Sequence, residues 1–324
     1  METSISYAPV FSFRFLRALF IHMRPYLLFV SGAAGFAGIA LGWSENHSII
    51  RFLLVFLPIF LGYGFGQALT DCFQVDTDSI SATYRPLVRK EVSPKALGIV
   101  SFAGLVAIGI PLIWLNPSNT ILCLLAIFGL ATYTYFKKNF WMAGPFYNGW
   151  IVMILPIVAF LATSGTKLSA IPSETLLWVC IITLFSYANF VLIGYLKDIT
   201  ADRQTGYNTF AVKFGWNASV LLGDIFLAIV LVSCLIIIDT EKVAAFLTFL
   251  LASLIAISGQ WKAHVAKVKT EEHSAYPIAS TVRAFILWHL AIALQFQPKW
   301  LVFAISYYIA FEAVLWFRPE KNQI

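Results

Sequence analysis

Long apolar runs separated by short polar stretches dominate this 324-residue chain. Runs of bilayer-spanning length, about 17–25 residues, fall near 26–43, 51–69, 96–115, 119–136, 147–164, 175–196, 218–238, 243–260, 278–296 and 299–317. The pattern therefore predicts an all-α fold, a polytopic bundle of transmembrane helices. Only Gln297 and Pro298 divide the last two runs, so nine spans with one irregular element compete with ten.

Composition agrees with the pattern. The chain is 60% hydrophobic and 12% charged, with mean hydropathy +0.81, more apolar surface than a wetted exterior tolerates. The net charge of +6 calls for no nucleic acid, because membrane proteins carry excess Lys and Arg on the cytoplasmic side. With the N-terminus inside, the cytoplasmic segments hold Arg14, Arg17, Arg24, Arg85, Arg89, Lys90, Lys95, Lys137, Lys138, Lys197, Arg203, Lys213, Lys262, Lys267, Lys269, Arg283, Arg318 and Lys321. Outside remain Arg51, Lys167, Lys242 and Lys299. Eighteen against four fixes the orientation.

One integral-membrane domain over residues 1–324 is expected, with no soluble domain or low-complexity tract. Residues 1–24 read as an aromatic-rich interfacial lead, since no short apolar core with a small-residue cleavage site follows the arginines. Cys72, Cys123, Cys180 and Cys234 lack metal or disulfide spacing and read as small buried hydrophobes. Inside connections after spans two, six and eight are long, about 17–26 residues, whereas outside ones are short. Spans one to four and five to eight thus suggest two parallel repeats, each with an acidic cluster after its second helix.

Those clusters, at 70–95 and 197–216, carry the candidate chemistry. Asp71 and Asp78 follow span two; Asp198 and Asp202 follow span six. Anionic groups crowded at a bilayer edge imply a counter-charge, and Mg²⁺ carrying a phosphorylated ligand is the natural candidate. Asp198 and Asp202, four apart, stack on one helical face, with Lys197 and Arg203 flanking them. DxxxD alone is also a common solvated helix end. In the first cluster, Gln67, Asp71, Gln74 and Asp78 fall on one stripe of a continuous helix, while Asp76 points roughly 140° from Asp71. Arg85, set before Pro86 in an extended segment, is placed to clamp phosphate.

Two Asp-rich helix ends, followed by Tyr84-Arg85-Pro86 and by Asp202-Arg203-x-x-Gly206, resemble the UbiA superfamily of intramembrane prenyltransferases. The likeness runs from Arg24-Pro25 through the ninth span, and around Asp78–Pro86, Asn148 and Tyr195–Gly215 it is nearest the chlorophyll-synthase branch. It implies a UbiA-like bundle around a central cavity. It also implies Mg²⁺ joining both motifs to a polyprenyl diphosphate (farnesyl, geranylgeranyl or longer), a side tunnel for the isoprenyl tail and transfer to a hydrophobic acceptor. The family's DxxxD carries onto Asp198 and Asp202 unchanged. Its NxxxDxxxD does not: Thr70 replaces Asn, Gln74 replaces the middle Asp, and only Asp78 matches, with Asp71 matching the Asp that often follows the Asn. The implied metal set is Asp71, Gln74, Asp78, Asp198 and Asp202, with the four aspartates also the candidate catalytic residues.

Tyr133 and Lys138, with Lys137, resemble the family's Tyr/Lys loop and join Arg85, Lys197 and Arg203 as candidate diphosphate contacts. Otherwise the lysines are topology charges. Gln67, Gln74, Asn148, Asn189 and the intramembrane Asp224 are candidate cavity residues; interhelical hydrogen bonding is the competing role. His289 and Glu312 read as satisfied helix contacts. Aromatic residues, 16% of the chain with 29 Phe, suit packing and the interface belt, and would also steady an allylic cation. Two further readings stand beside the transferase. One is a UbiA-type terpene cyclase, favoured by the altered first motif. The other is a cation-coupled transporter or lipid-binding protein, disfavoured by acids at the rim rather than the midplane.

Overall fold

The computed structural model describes residues 6–170, 174–266 and 269–318; Lys267 and Lys321, counted above for orientation, lie outside these. Helices account for the architecture, with no strand among the described residues. They are α1 (Phe13–Met23), α2 (Leu28–Gly42), α3 (Ile49–Asp71), α4 (Val75–Ser81), α5 (Pro94–Leu115), α6 (Asn119–Asn139), α7 (Ala143–Ser164), α8 (Glu174–Gly194), α9 (Ile199–Gln204), α10 (Phe210–Ile237), α11 (Val243–Val265), α12 (Ala275–Phe296) and α13 (Leu301–Trp316). Ten of them, extended by short 3₁₀ turns at some ends, are long and apolar enough to cross a membrane. Ten separate candidate membrane helices form among the described residues: α12 ends at Phe296, and the Pro298–Trp300 turn restarts the chain as α13. The protein is an integral, multi-pass membrane protein.

Helices α2, α7, α8 and α12 form the centre; α12 is the most deeply buried span and α6 and α13 face outward. Small residues let α2 approach its neighbours closely. At Gly38 a Cβ would collide with the Pro156 carbonyl oxygen of α7, so only glycine permits this crossing. Much of the aromatic wealth is packing: Phe29, Phe36, Phe52, Phe56 and Phe60 interlock with Trp300, Phe303 and Tyr307 between α2, α3 and α13.

A second, smaller core forms at one end of the bundle. Phe15, Ala18 and Leu19 of α1 bury against Ala68 of α3 and against Leu87 and Val92. The outer face of α1, with Phe13, Leu16 and Phe20, is exposed beside Arg14 and Arg17. Short helices follow spans two and six in the same way: α4 after α3 and α9 after α8. They pack together, Thr77 Oγ1 lying 3.1 Å from Thr205 Oγ1.

Candidate active site

The expected continuous stripe does not form. Helix α3 stops at Asp71, a turn covers Cys72 and Phe73, and Gln74 caps α4 with φ −123°. This break separates residues that a straight helix would align. Gln67, Gln74 and Asp78 line a polar cavity, whereas Asp71 turns away from it. Asp198 likewise caps α9 with φ −114°, and its carbonyl accepts the Asp202 N–H at 2.8 Å. Asp198 lines the cavity; Asp202 lies behind it, fully buried.

The polar cavity also takes Arg24, Arg85, Tyr133, Lys137, Asn148 and Lys197 into its wall. Four cationic side chains thus face two carboxylates, which makes the space attractive to an anion. An apolar cavity adjoins it between α3, α5, α6 and α7, and the two share Tyr63, Gln67, Tyr133, Asn148 and Tyr187. The tyrosines are paired, Tyr63 with Tyr187 and Tyr133 with Tyr195, each at 3.0 Å between hydroxyl oxygens. No phenylalanine lines the apolar cavity among the described residues, so the rings placed to face a cation there are tyrosines.

The two acidic clusters are neutralised differently. Asp71 is 2% exposed, and its carboxylate accepts from Arg24 Nη2 at 2.7 Å and His22 Nδ1 at 2.9 Å, with Arg85 Nη1 at 3.5 Å. Asp78 is tied directly to Arg85. Burial still pushes the Asp78 carboxyl above its ordinary range, with Arg85 opposing. Asp202 has one ion-pair partner, Lys137 at 3.4 Å, with the Thr209 side chain beside it. Burial pushes Asp202 up to about 6, against the pull of Lys137.

Several expected site residues sit elsewhere. Lys138 pairs with Asp76 at 3.2 Å and lies over the Tyr207 ring, outside the cavity wall; its neighbour Lys137 points inward instead. Arg203 is exposed and lines neither cavity. Asn189 is buried against Gly223 and Gln260, between α8, α10 and α11. Asp224 pairs with His264 at 2.7 Å on the far side of α10. Its expected place in the cavity is therefore corrected: an unforeseen histidine on α11 supplies its partner. The Arg85–Pro86 step lies in a series of turns, not an extended segment, with the Arg85 N–H donating to Ala82 at 3.0 Å. Glu312 holds a bidentate pair with Arg283, at 2.6 and 2.8 Å, and His289 bonds Thr183 and the Phe285 carbonyl. Sequence reasoning gave Arg24 no role, and its sole signal was the Arg-Pro step opening span one.

Among the described residues no three His, Cys, Asp or Glu side chains gather into a metal cage. A hard cation that keeps waters and phosphate oxygens needs fewer protein ligands, one or two carboxylates. Asp198, which lines the cavity, and Gln74, whose amide nitrogen donates to Thr134 at 3.2 Å, suit that partial set.

Residues 31–290 match the UbiA prenyltransferase family, so the chain belongs to that family and is a membrane-embedded prenyltransferase. A digeranylgeranylglyceryl phosphate synthase of Methanothrix thermoacetophila is 27% identical over 72% of this chain and 86% of its own length. One from Thermococcus kodakarensis is 27% identical over 65% and 73%. The fold is shared with an apo UbiA homologue from Aeropyrum pernix K1 (TM-score 0.67, 16% identity, 85% of this chain and 97% of that one). It is also shared with an Archaeoglobus fulgidus homologue solved with GPP and Mg²⁺ (TM-score 0.60, 19% identity, 85% and 99%).

Proposed function

We propose that the chain ionises a polyprenyl diphosphate, farnesyl, geranylgeranyl or longer, and transfers the isoprenyl group to a hydrophobic acceptor. The observation that carries this reading is the junction of the two cavities. A cation-rich chamber adjoining an apolar one matches an amphiphile with an anionic head and a hydrocarbon tail. Arg24, Arg85, Lys137 and Lys197 would bind the diphosphate and stabilise the charge that builds as it departs. Asp198, with Gln74, would hold Mg²⁺, Asp78 would hold Arg85, and Asp202 would fix Lys137 from behind. When bound, the metal supplies further charge neutralisation at the leaving oxygens. The apolar chamber excludes water, which would otherwise quench the allylic cation. The names of the curated relatives favour a geranylgeranyl donor, and the neighbour solved with GPP and Mg²⁺ supports the metal. The Lys and Arg bias supports a site facing the cytoplasm.

The test is incubation of purified protein with geranylgeranyl diphosphate and Mg²⁺, with and without a lipid extract as acceptor source. Diphosphate release with a prenylated lipid seen by mass spectrometry is the expected result. A cyclic hydrocarbon or alcohol formed without acceptor would put the cyclase reading in its place.

A further inference from the structure

His22 makes two hydrogen bonds. The Leu87 backbone N–H donates to Nε2 at 3.3 Å, and Nδ1 lies 2.9 Å from Asp71 Oδ2. The imidazole is 1% exposed. The other Asp71 oxygen receives Arg24 at 2.7 Å and faces Arg85 at 3.5 Å.

Both guanidiniums reach the polar cavity from this one carboxylate. Arg24 does so from a left-handed backbone, φ 48° and ψ 73°, a conformation a side-chain-bearing residue keeps only where its surroundings impose it. The surroundings are the end of α1, fastened to the 82–92 turn by the small core and by the Ala8 N–H donating to the Glu91 carbonyl at 2.9 Å.

We propose that His22 is a positioning residue: it orients the Asp71 carboxylate, which in turn sets Arg24 and Arg85 at the cavity wall to receive a diphosphate. The proposal rests on the reading of that cavity as a diphosphate site. It gives Asp71 an anchoring role in place of metal ligation.

The experiment compares binding of geranylgeranyl thiolodiphosphate with Mg²⁺ against binding of geranylgeraniol, which lacks the head group, to full-length protein in nanodiscs. His22→Leu should weaken the thiolodiphosphate about tenfold, the scale of one hydrogen bond to a charged group, and leave the alcohol within about twofold by the same scale. His22→Gln, which keeps a donor and an acceptor, should recover most of the loss. In an Arg24→Met background, His22→Leu should cost less than it does alone, since one of the two guanidiniums it sets is gone. Equal weakening of both ligands, no loss for the thiolodiphosphate, no recovery in His22→Gln, or additive effects would each overturn the proposal. If His22→Leu does not fold, the near-isosteric Asp71→Asn should show the same selective loss, and a non-selective loss would overturn it. Wild-type protein that binds the alcohol but not the thiolodiphosphate would overturn the diphosphate site itself.

Discussion

The two acidic clusters look alike in sequence and differ in what surrounds them. Asp71 and Asp78 are already held by Arg24, Arg85 and His22, whereas Asp198 lines the cavity beside Lys197 and Asp202 has one lysine at ion-pair distance. A carboxylate held by arginines organises cations for an anionic ligand; one left short of donors suits a metal or proton. The contrast explains how the first motif does without its middle acid at Gln74. If that cluster mainly positions guanidiniums, a neutral residue there costs little.

The sharpest way to break this contrast is Asp198→Ala. Loss of diphosphate release by at least about a hundredfold is expected, the scale of one preorganised charge-stabilising group, with the protein still folded in detergent. Arg85→Met should act differently, raising KM for the prenyl diphosphate by about ten- to a hundredfold, as for a charge-assisted contact. Steady-state kinetics with varied substrate distinguishes the two.

Next comes pH. The raised carboxyl of Asp202 favours its protonated form in the fold, so its contribution to stability is complete below the ordinary carboxylate range near 4 and is lost as pH rises through about 6. In chelated protein, melting temperature should fall over that window by the equivalent of about 3 kcal/mol at most, and Asp202→Asn should flatten the curve. A wild-type melting profile without slope between pH 4 and 6 would contradict the assignment.

Smaller effects sharpen the comparison. Gln74→Asp should lower the Mg²⁺ concentration for half-maximal activity a few-fold, by adding a charged oxygen donor to the cavity wall. Weaker Mg²⁺ dependence, with folding unchanged, would remove Gln74 from the metal's neighbourhood. Asp224→Asn should change turnover less than about twofold, as for sites without shared partners, because Asp224 faces His264 and not the cavity.

The spans were legible because bilayer thickness imposes a length that a run of apolar residues reports directly. Gln67, Gln74, Asp78, Arg85, Tyr133, Asn148, Lys197 and Asp198 were also candidates from motif or from the UbiA resemblance, and they line one cavity. The rest depended on contacts that no local pattern encodes. The turn at Cys72–Phe73 takes Gln74 and Asp78 off the α3 stripe, and Asp71, ending α3, meets partners 47 and 49 positions earlier in the chain. The choice of Lys137 over Lys138 is a rotation of one residue at a helix end. His264 reaches Asp224 from a different span, 40 residues away.

The glycine crossing of α2 and α7 has a remote effect. Gly38 stands 10 residues beyond Leu28, where α2 begins, about 15 Å along the helical axis at 1.5 Å per residue, and Arg24 precedes that end across the Pro25–Leu27 turn. Because the contact admits no methyl group, α2 has a single depth at which it seats against α7. Adding that methyl would shift the rod, and the arginine one short turn before its start would miss its mark without any change in the residues around it.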